Sequence, residues 1–185
     1  MLVHIREATT RDAAAIAEIH VTTWQTAYEG LLPASYLAGL SIDVRARQWH
    51  RSLTSRQPRV YVAEAGDAIV GWVAFGRCRD ADKDGSWGEV EALYVLPSFW
   101  RRGVGMRLMD SARRSLSRIG YTDVVLWVLA DNHRALGFYR NAGFIDDDTS
   151  RAVHIAHARV KEVRYSAALT GPWTAASASI RDLMR

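Results

Sequence analysis

The run VVLWVL, residues 124–129, carries six consecutive apolar side chains with no polar break. Asp123 precedes it, and the run suits a central strand. A strand of this kind must be covered on both faces. Its neighbours supply the cover. Val104 to Ile119 places Leu108, Met109, Ala112, Leu116 and Ile119 on one helical face and closes at Gly120, and a second helical stretch runs from an Asn132 cap to Ala142. A sheet packed between helices is therefore expected.

The rest of the chain completes that layout. Leu2 to Arg6 alternates as a strand, and Thr9 or Thr10 can cap a helix with Ala13, Ile16, Ala17, Ile19, His20 and Thr23 at helical spacing. The segment from Trp24 to Leu53 breaks at Gly30 and Pro33 and reads as two further short helices. From Arg59 the period changes to two, RVYVAEA and AIVGWVAFGRC around a Gly66-Asp67 turn, which predicts a hairpin. GEVEALYVLP is the next strand, Gly143-Phe144-Ile145 leads into another, and Ala158 to Ala167 is the last. The fold class is mixed α/β, with a folded domain over residues 1–169 and a small-residue-rich tail or short helix over 170–185.

At 185 residues the chain fits one domain without staples. Cys78, the single cysteine, cannot form an internal disulfide, and no metal-ligand constellation is visible. A reducing, cytoplasmic setting is expected; the N-terminus lacks a signal-peptide pattern and no stretch reaches the ~18 apolar residues of a membrane span. The formal net charge is only +4, without a dense basic tract, so neither nucleic acid nor a membrane is an expected partner.

Between a strand and an amphipathic helix stands PSFWRRGVGMRL, residues 97–108. It lacks the lysine of a nucleotide P-loop and the third glycine of a dinucleotide fingerprint, since position 108 is leucine. What remains is a set of backbone N–H groups, residues 101 to 106, freed at a helix start and uncrowded at Gly103 and Gly105. They can hold an anion such as a diphosphate, with Arg101, Arg102 and Arg107 adding to the field. A tight strand-to-helix connection with solvated arginines is the competing reading. Asn132 and Tyr139, seven residues apart on one helix, share a face about 10 Å apart.

LYVLPSFWRRGVG, DNHRALGFYRNAGF and the opening IREATTRDAAAIAEI together resemble the GNAT superfamily of N-acetyltransferases, over roughly residues 2 to 169. The resemblance implies a mostly antiparallel mixed sheet flanked by helices, with a splayed central strand pair that holds acetyl-CoA as cosubstrate. It implies cofactor contacts from Leu93, Tyr94 and Val95 through a bulge near Leu93, from Arg101, Arg102, Gly103, Val104, Gly105 and Met106 at the phosphates, and from Asn132 and Tyr139 along the arm. Trp100 stands where the family's motif has Gln or Arg.

The chemistry then follows from the thioester. A protonated phenol at Tyr139 can give its proton to the departing thiolate, and Glu89, four residues before Leu93, matches the glutamate several members use as base, with Glu91 second. Strict alternation puts Glu89, Glu91, Leu93 and Val95 on one face and Val90, Ala92 and Tyr94 on the other. Trp24, Tyr28 and Trp49 are candidates for the acceptor wall, with Glu91 beside them. The expected reaction is direct attack of a primary amine, of a small molecule or peptide, on acetyl-CoA. A non-catalytic acyl-CoA sensor and a transferase for a longer acyl group are the alternatives, and a homodimer through the last strands or the tail is compatible with the sequence.

Overall fold

The computed structural model describes residues 2–169; the tail expected over 170–185 lies outside the described residues. Seven strands form one sheet in the order β1-β2-β3-β4-β5-β7-β6. They are β1 (His4–Glu7), β2 (Arg59–Ala65), β3 (Ala68–Arg77), β4 (Trp87–Val95), β5 (Asp123–Leu129), β6 (Ile145–Ile155) and β7 (Ala158–Ala168). The helices are α1 (Ala13–Ala27), α2 (Ala34–Ala38), α3 (Ile42–Ser55), α4 (Val104–Ile119) and α5 (His133–Asn141). All strand pairs are antiparallel except β4 with β5.

The helices divide between the two faces, and each face has its own core. On one, Leu108, Met109, Ala112 and Leu116 of α4 meet Val73, Phe75, Val90, Val124, Leu126 and Tyr165. Ile119, expected on that apolar face, is 49% exposed at the helix end, one residue before Gly120 turns the chain away at φ 107°. On the other face Ile16 and Ile19 of α1 and Leu53 of α3 pack against Val60, Val62, Trp72 and Ala74. Residues of β2, β3 and β4 thus feed both cores, whereas those of β5 and β7 feed the first.

Two local devices interrupt the middle of the sheet. The β4–β5 pairing covers only Trp87, Gly88 and Glu89 against Asp123, Val124 and Val125, after which the strands part. In addition, the β3–β4 register slips between Ala74 and Phe75, so that Ala74 faces Ala92 while Phe75 faces Val90, and Glu91 is the extra residue of a bulge. The slip overturns strict alternation along β4. Val90, Leu93 and Val95 pack toward α4, whereas Ala92 and Tyr94 pack toward α1. Glu89, next to Val90 and opposite Gly76, therefore points to the face that Leu93 does not share.

Candidate active site

Where β4 and β5 part, a cavity of about 800 Å³ passes between them, lined by β4, β5, the starts of α4 and α5, the end of α1 and the last hairpin. It is bounded on the α4 side by the loop 97–103 and on the α1 side by Trp24 and Tyr28. This volume suits an extended ligand.

At the α4 end the helix starts on Gly103, whose φ of 79° lies in the left-handed region, and the preceding Arg101 also has φ 58°. Gly103 takes that conformation without strain. The Arg107 N–H makes the first helical bond, to the Gly103 carbonyl, so the N–H groups of Val104, Gly105 and Met106 have no partner within the helix. Gly105 sits close under α5, and a Cβ there would lie 3.2 Å from the Phe138 ring. Arg101, Gly103, Val104, Gly105 and Met106 all line the cavity, whereas Arg102 is exposed and lies over Phe99 instead. A diphosphate fits this group of open amides beside Arg101.

Trp100 gains a place that the sequence does not reveal. Its Nε1–H donates to the Val95 carbonyl at 2.7 Å, and the Arg134 guanidinium of α5 stacks on its ring at 3.9 Å. The indole thus ties the end of β4 to the opposite wall of the cleft. Thr23 Oγ1 also donates to the Val95 carbonyl, at 3.4 Å, so two protein donors already engage that oxygen. Leu93, Tyr94 and Val95 line the cavity, but the Tyr94 side chain turns to the α1 face.

Asn132 and Tyr139 line the same cavity, as their spacing predicts. The Asn132 side-chain oxygen accepts the Ala135 N–H at 3.1 Å and caps α5. Tyr139 is buried between Phe138 and Phe144, and burial, with the nearby Tyr94 hydroxyl, pushes its phenol well above the usual tyrosine range. It is a protonated donor at any ordinary pH.

The two glutamates of β4 have different surroundings. Glu89 is buried and does not line the cavity. Arg79 grips it through Nη2 to Oε1 at 2.6 Å and Nε to Oε2 at 2.9 Å, and the Arg79 N–H donates at 3.2 Å. Glu91, on the bulge, does line the cavity. Its carboxyl is raised above the usual range by burial, partly offset by Arg79 at 3.3 Å and reinforced by Glu89. Arg79 itself is held in a loop fixed from below, because the buried Arg164 of β7 binds Asp80 and Asp82 of that loop and Asp147 of β6 at 2.7–2.9 Å.

Trp24 and Tyr28 line the α1 side, their rings edge to face at 5.0 Å. Trp49 does not reach the cavity. It packs edge-on against Trp72 at 4.6 Å, and its Nε1–H donates to His20 Nδ1, so the ring is taken up in the core that α1 and α3 share with the sheet. Glu162 and Trp127 line the cavity too, and neither is expected there from the sequence. They sit on β7 and β5, and only the pairing of those strands brings them to the cleft. No group of His, Cys, Asp or Glu among the described residues could hold a metal, and no described helix is long and apolar enough to cross a membrane.

Known proteins share this fold. The chain is 30% identical over 166 residues to the uncharacterized N-acetyltransferase YuaI of Bacillus subtilis, covering 88% of this chain and 91% of that one. It is 28% identical over 168 residues to a probable N-acetyltransferase of Mycobacterium tuberculosis, covering 88% and 92%. The fold is that of the PaiA N-acetyltransferase of Thermoplasma acidophilum, solved in complex with coenzyme A, with a TM-score of 0.68 at 20% identity over 88% and 98% of the two chains. YncA of Salmonella typhimurium, solved with acetyl-CoA, gives 0.69 at 19% identity over 93% and 96%. The sequence model of the acetyltransferase (GNAT) family matches residues 15–144, and with these relatives it shows that the chain belongs to that family of acetyltransferases.

Proposed function

We propose that the protein transfers an acetyl group from acetyl-CoA to a primary amine by direct attack. The observation that carries this reading is one continuous cavity joining the open amides of α4 to Tyr139 and Glu91. The N–H groups of Val104, Gly105 and Met106, with Arg101, would hold the diphosphate, and Leu93, Tyr94 and Asn132 would flank the arm. When bound, acetyl-CoA supplies an activated acyl carbon.

The residues of the chain then handle two protons. The acceptor arrives as an ammonium, and Glu91, whose raised pKa makes it a better base than an ordinary carboxylate, takes a proton from that nitrogen. As the new N–C bond forms and the C–S bond breaks, Tyr139 gives its hydroxyl proton to the sulfur. After attack the nitrogen carries one proton more than the amide product; that proton passes through solvent to the Tyr139 phenolate and restores it, and Glu91 releases the first proton as the product leaves. Glu89 is a positioning residue in this scheme: it fixes Arg79, which in turn lies against Glu91. Trp24 and Tyr28 form the acceptor wall. A cytoplasmic location fits the single buried, unpaired Cys78.

The test joins binding to turnover. Acetyl-CoA at a hundred times its Kd should stabilise the fold by about 2.7 kcal/mol, and an amine should stimulate thiol release with acetylated amine as product. A chain whose melting is unmoved by millimolar acetyl-CoA would not use this cosubstrate. Binding without amine-dependent thiol release would instead favour a sensor role.

A further inference from the structure

The cavity is electrically divided. Its lining arginines, Arg101 and Arg134, stand at the starts of α4 and α5, whereas its lining carboxylates, Glu91 and Glu162, belong to strands β4 and β7. Glu162 lies opposite Leu129 and two residues from Arg164, which lies opposite Trp127, so Glu162 and Trp127 share the face of the sheet that Val128 and Val163 do not. Tyr28 reaches the same space from α1, and its raised pKa, due mainly to burial, includes a contribution from the negative charge of Glu162.

Among the described residues, Glu162 is paired through one carboxylate oxygen. Arg151, its partner across the β6–β7 ladder, donates Nε to Oε2 at 2.8 Å and spreads its guanidinium over Trp127 at 3.9 Å. One carboxylate oxygen is thereby engaged, and the other is left for a ligand. An amine that has given its proton to Glu91 is neutral, and a monoamine then offers nothing to Glu162. A second protonated nitrogen on the acceptor keeps its charge through the reaction and satisfies that carboxylate. A carboxylate on the acceptor would meet Glu91 and Glu162 with like charge.

We propose that Glu162 sets acceptor specificity, holding the second cationic nitrogen of a diamine-type acceptor whose apolar spacer lies along Trp24 and Tyr28. This rests on the N-acetyltransferase reading of the same cavity. The test uses three matched series of three to eight carbons: linear diamines, linear monoamines and ω-amino acids, each assayed by thiol release with saturating acetyl-CoA.

The wild-type protein should show kcat/KM for the best diamine at least about tenfold above the monoamine of equal length, as expected for a charged hydrogen bond, with the amino acid lowest. Glu162→Gln should bring the diamine-to-monoamine ratio to about one, with calorimetry of acetyl-CoA binding reporting an intact fold. Arg151→Gln, which frees Oε2, should raise the ratio. Equal use of diamine and monoamine by the wild type, preference for the amino acid, or a ratio unmoved in both variants would overturn the specificity role and leave the acetyltransferase reading standing. No thiol release with any amine, in a protein that still binds acetyl-CoA, would overturn both.

Discussion

Arg79 grips Glu89 by both carboxylate oxygens, at 2.6 and 2.9 Å, and with its remaining guanidinium nitrogen lies 3.3 Å from Glu91. One arginine thus immobilises one glutamate and borders the other. In the proposed mechanism the proton-accepting task goes to Glu91, because it alone of the two lines the cavity.

Glu91→Gln is expected to lower kcat by about 10²-fold or more, within the range for general-base loss. The raised pKa of Glu91 fixes the sign of the pH profile: the base works once deprotonated, so the acid limb of kcat/KM lies above the ordinary carboxylate range and disappears in the variant. Glu89→Gln leaves Arg79 underpaired and should reduce stability while keeping that limb. The reverse pattern, with the limb lost in Glu89→Gln and kept in Glu91→Gln, would return the role to Glu89 through a water.

Tyr139→Phe removes one hydroxyl from a site where the ring remains packed between Phe138 and Phe144. Turnover should fall by about 10²-fold, with acetyl-CoA affinity by calorimetry within about twofold because no ring contact is lost. Equal turnover in both proteins would remove Tyr139 from proton transfer.

Trp100→Ala breaks both the bond to the Val95 carbonyl and the stack under Arg134. A cation–π contact of this kind is worth about 0.5–2 kcal/mol. Acetyl-CoA binding should therefore weaken severalfold or more, while kcat at saturation changes little. Trp100→Phe, which keeps the ring and loses the donor, should recover part of the affinity; identical losses in the two variants would place the effect in the hydrogen bond alone.

The bounds of α4 and β5 and the capping of α5 by Asn132 are legible in the sequence because each depends on local signals: a glycine stop, an unbroken apolar run and a side chain three residues from its N–H partner. The face of Glu89 is not legible there. A bulge depends on the partner strand's register, and one extra residue at Glu91 inverts every assignment beyond it. Glu162 and Trp127 stay hidden for a related reason, since they meet the cleft only when β7 inserts between β5 and β6. Trp49 shows the opposite error, an aromatic near the right segment that α3 carries into the core between α1 and the sheet.

His20 supplies a prediction about stability. Its ring is stacked on Tyr94 at 5.3 Å and flanked by Trp24, Trp49 and Trp72, and burial, assisted by the charge of Arg45, lowers its pKa from 6.5 to about 4. Nδ1 accepts from Trp49, so the neutral ring carries its proton on Nε2. The unfolded chain takes up a proton near pH 6.5 and the folded chain only near pH 4. Stability is thus full above 6.5 and is lost as pH falls between those values. Linkage puts the loss at about 1.5 kcal/mol between pH 6.5 and 5, a window in which ordinary carboxylates contribute little. Denaturant melts at the two pH values should show this difference in the wild type and a smaller one in His20→Gln. An equal difference in both would assign the pH dependence to groups other than His20.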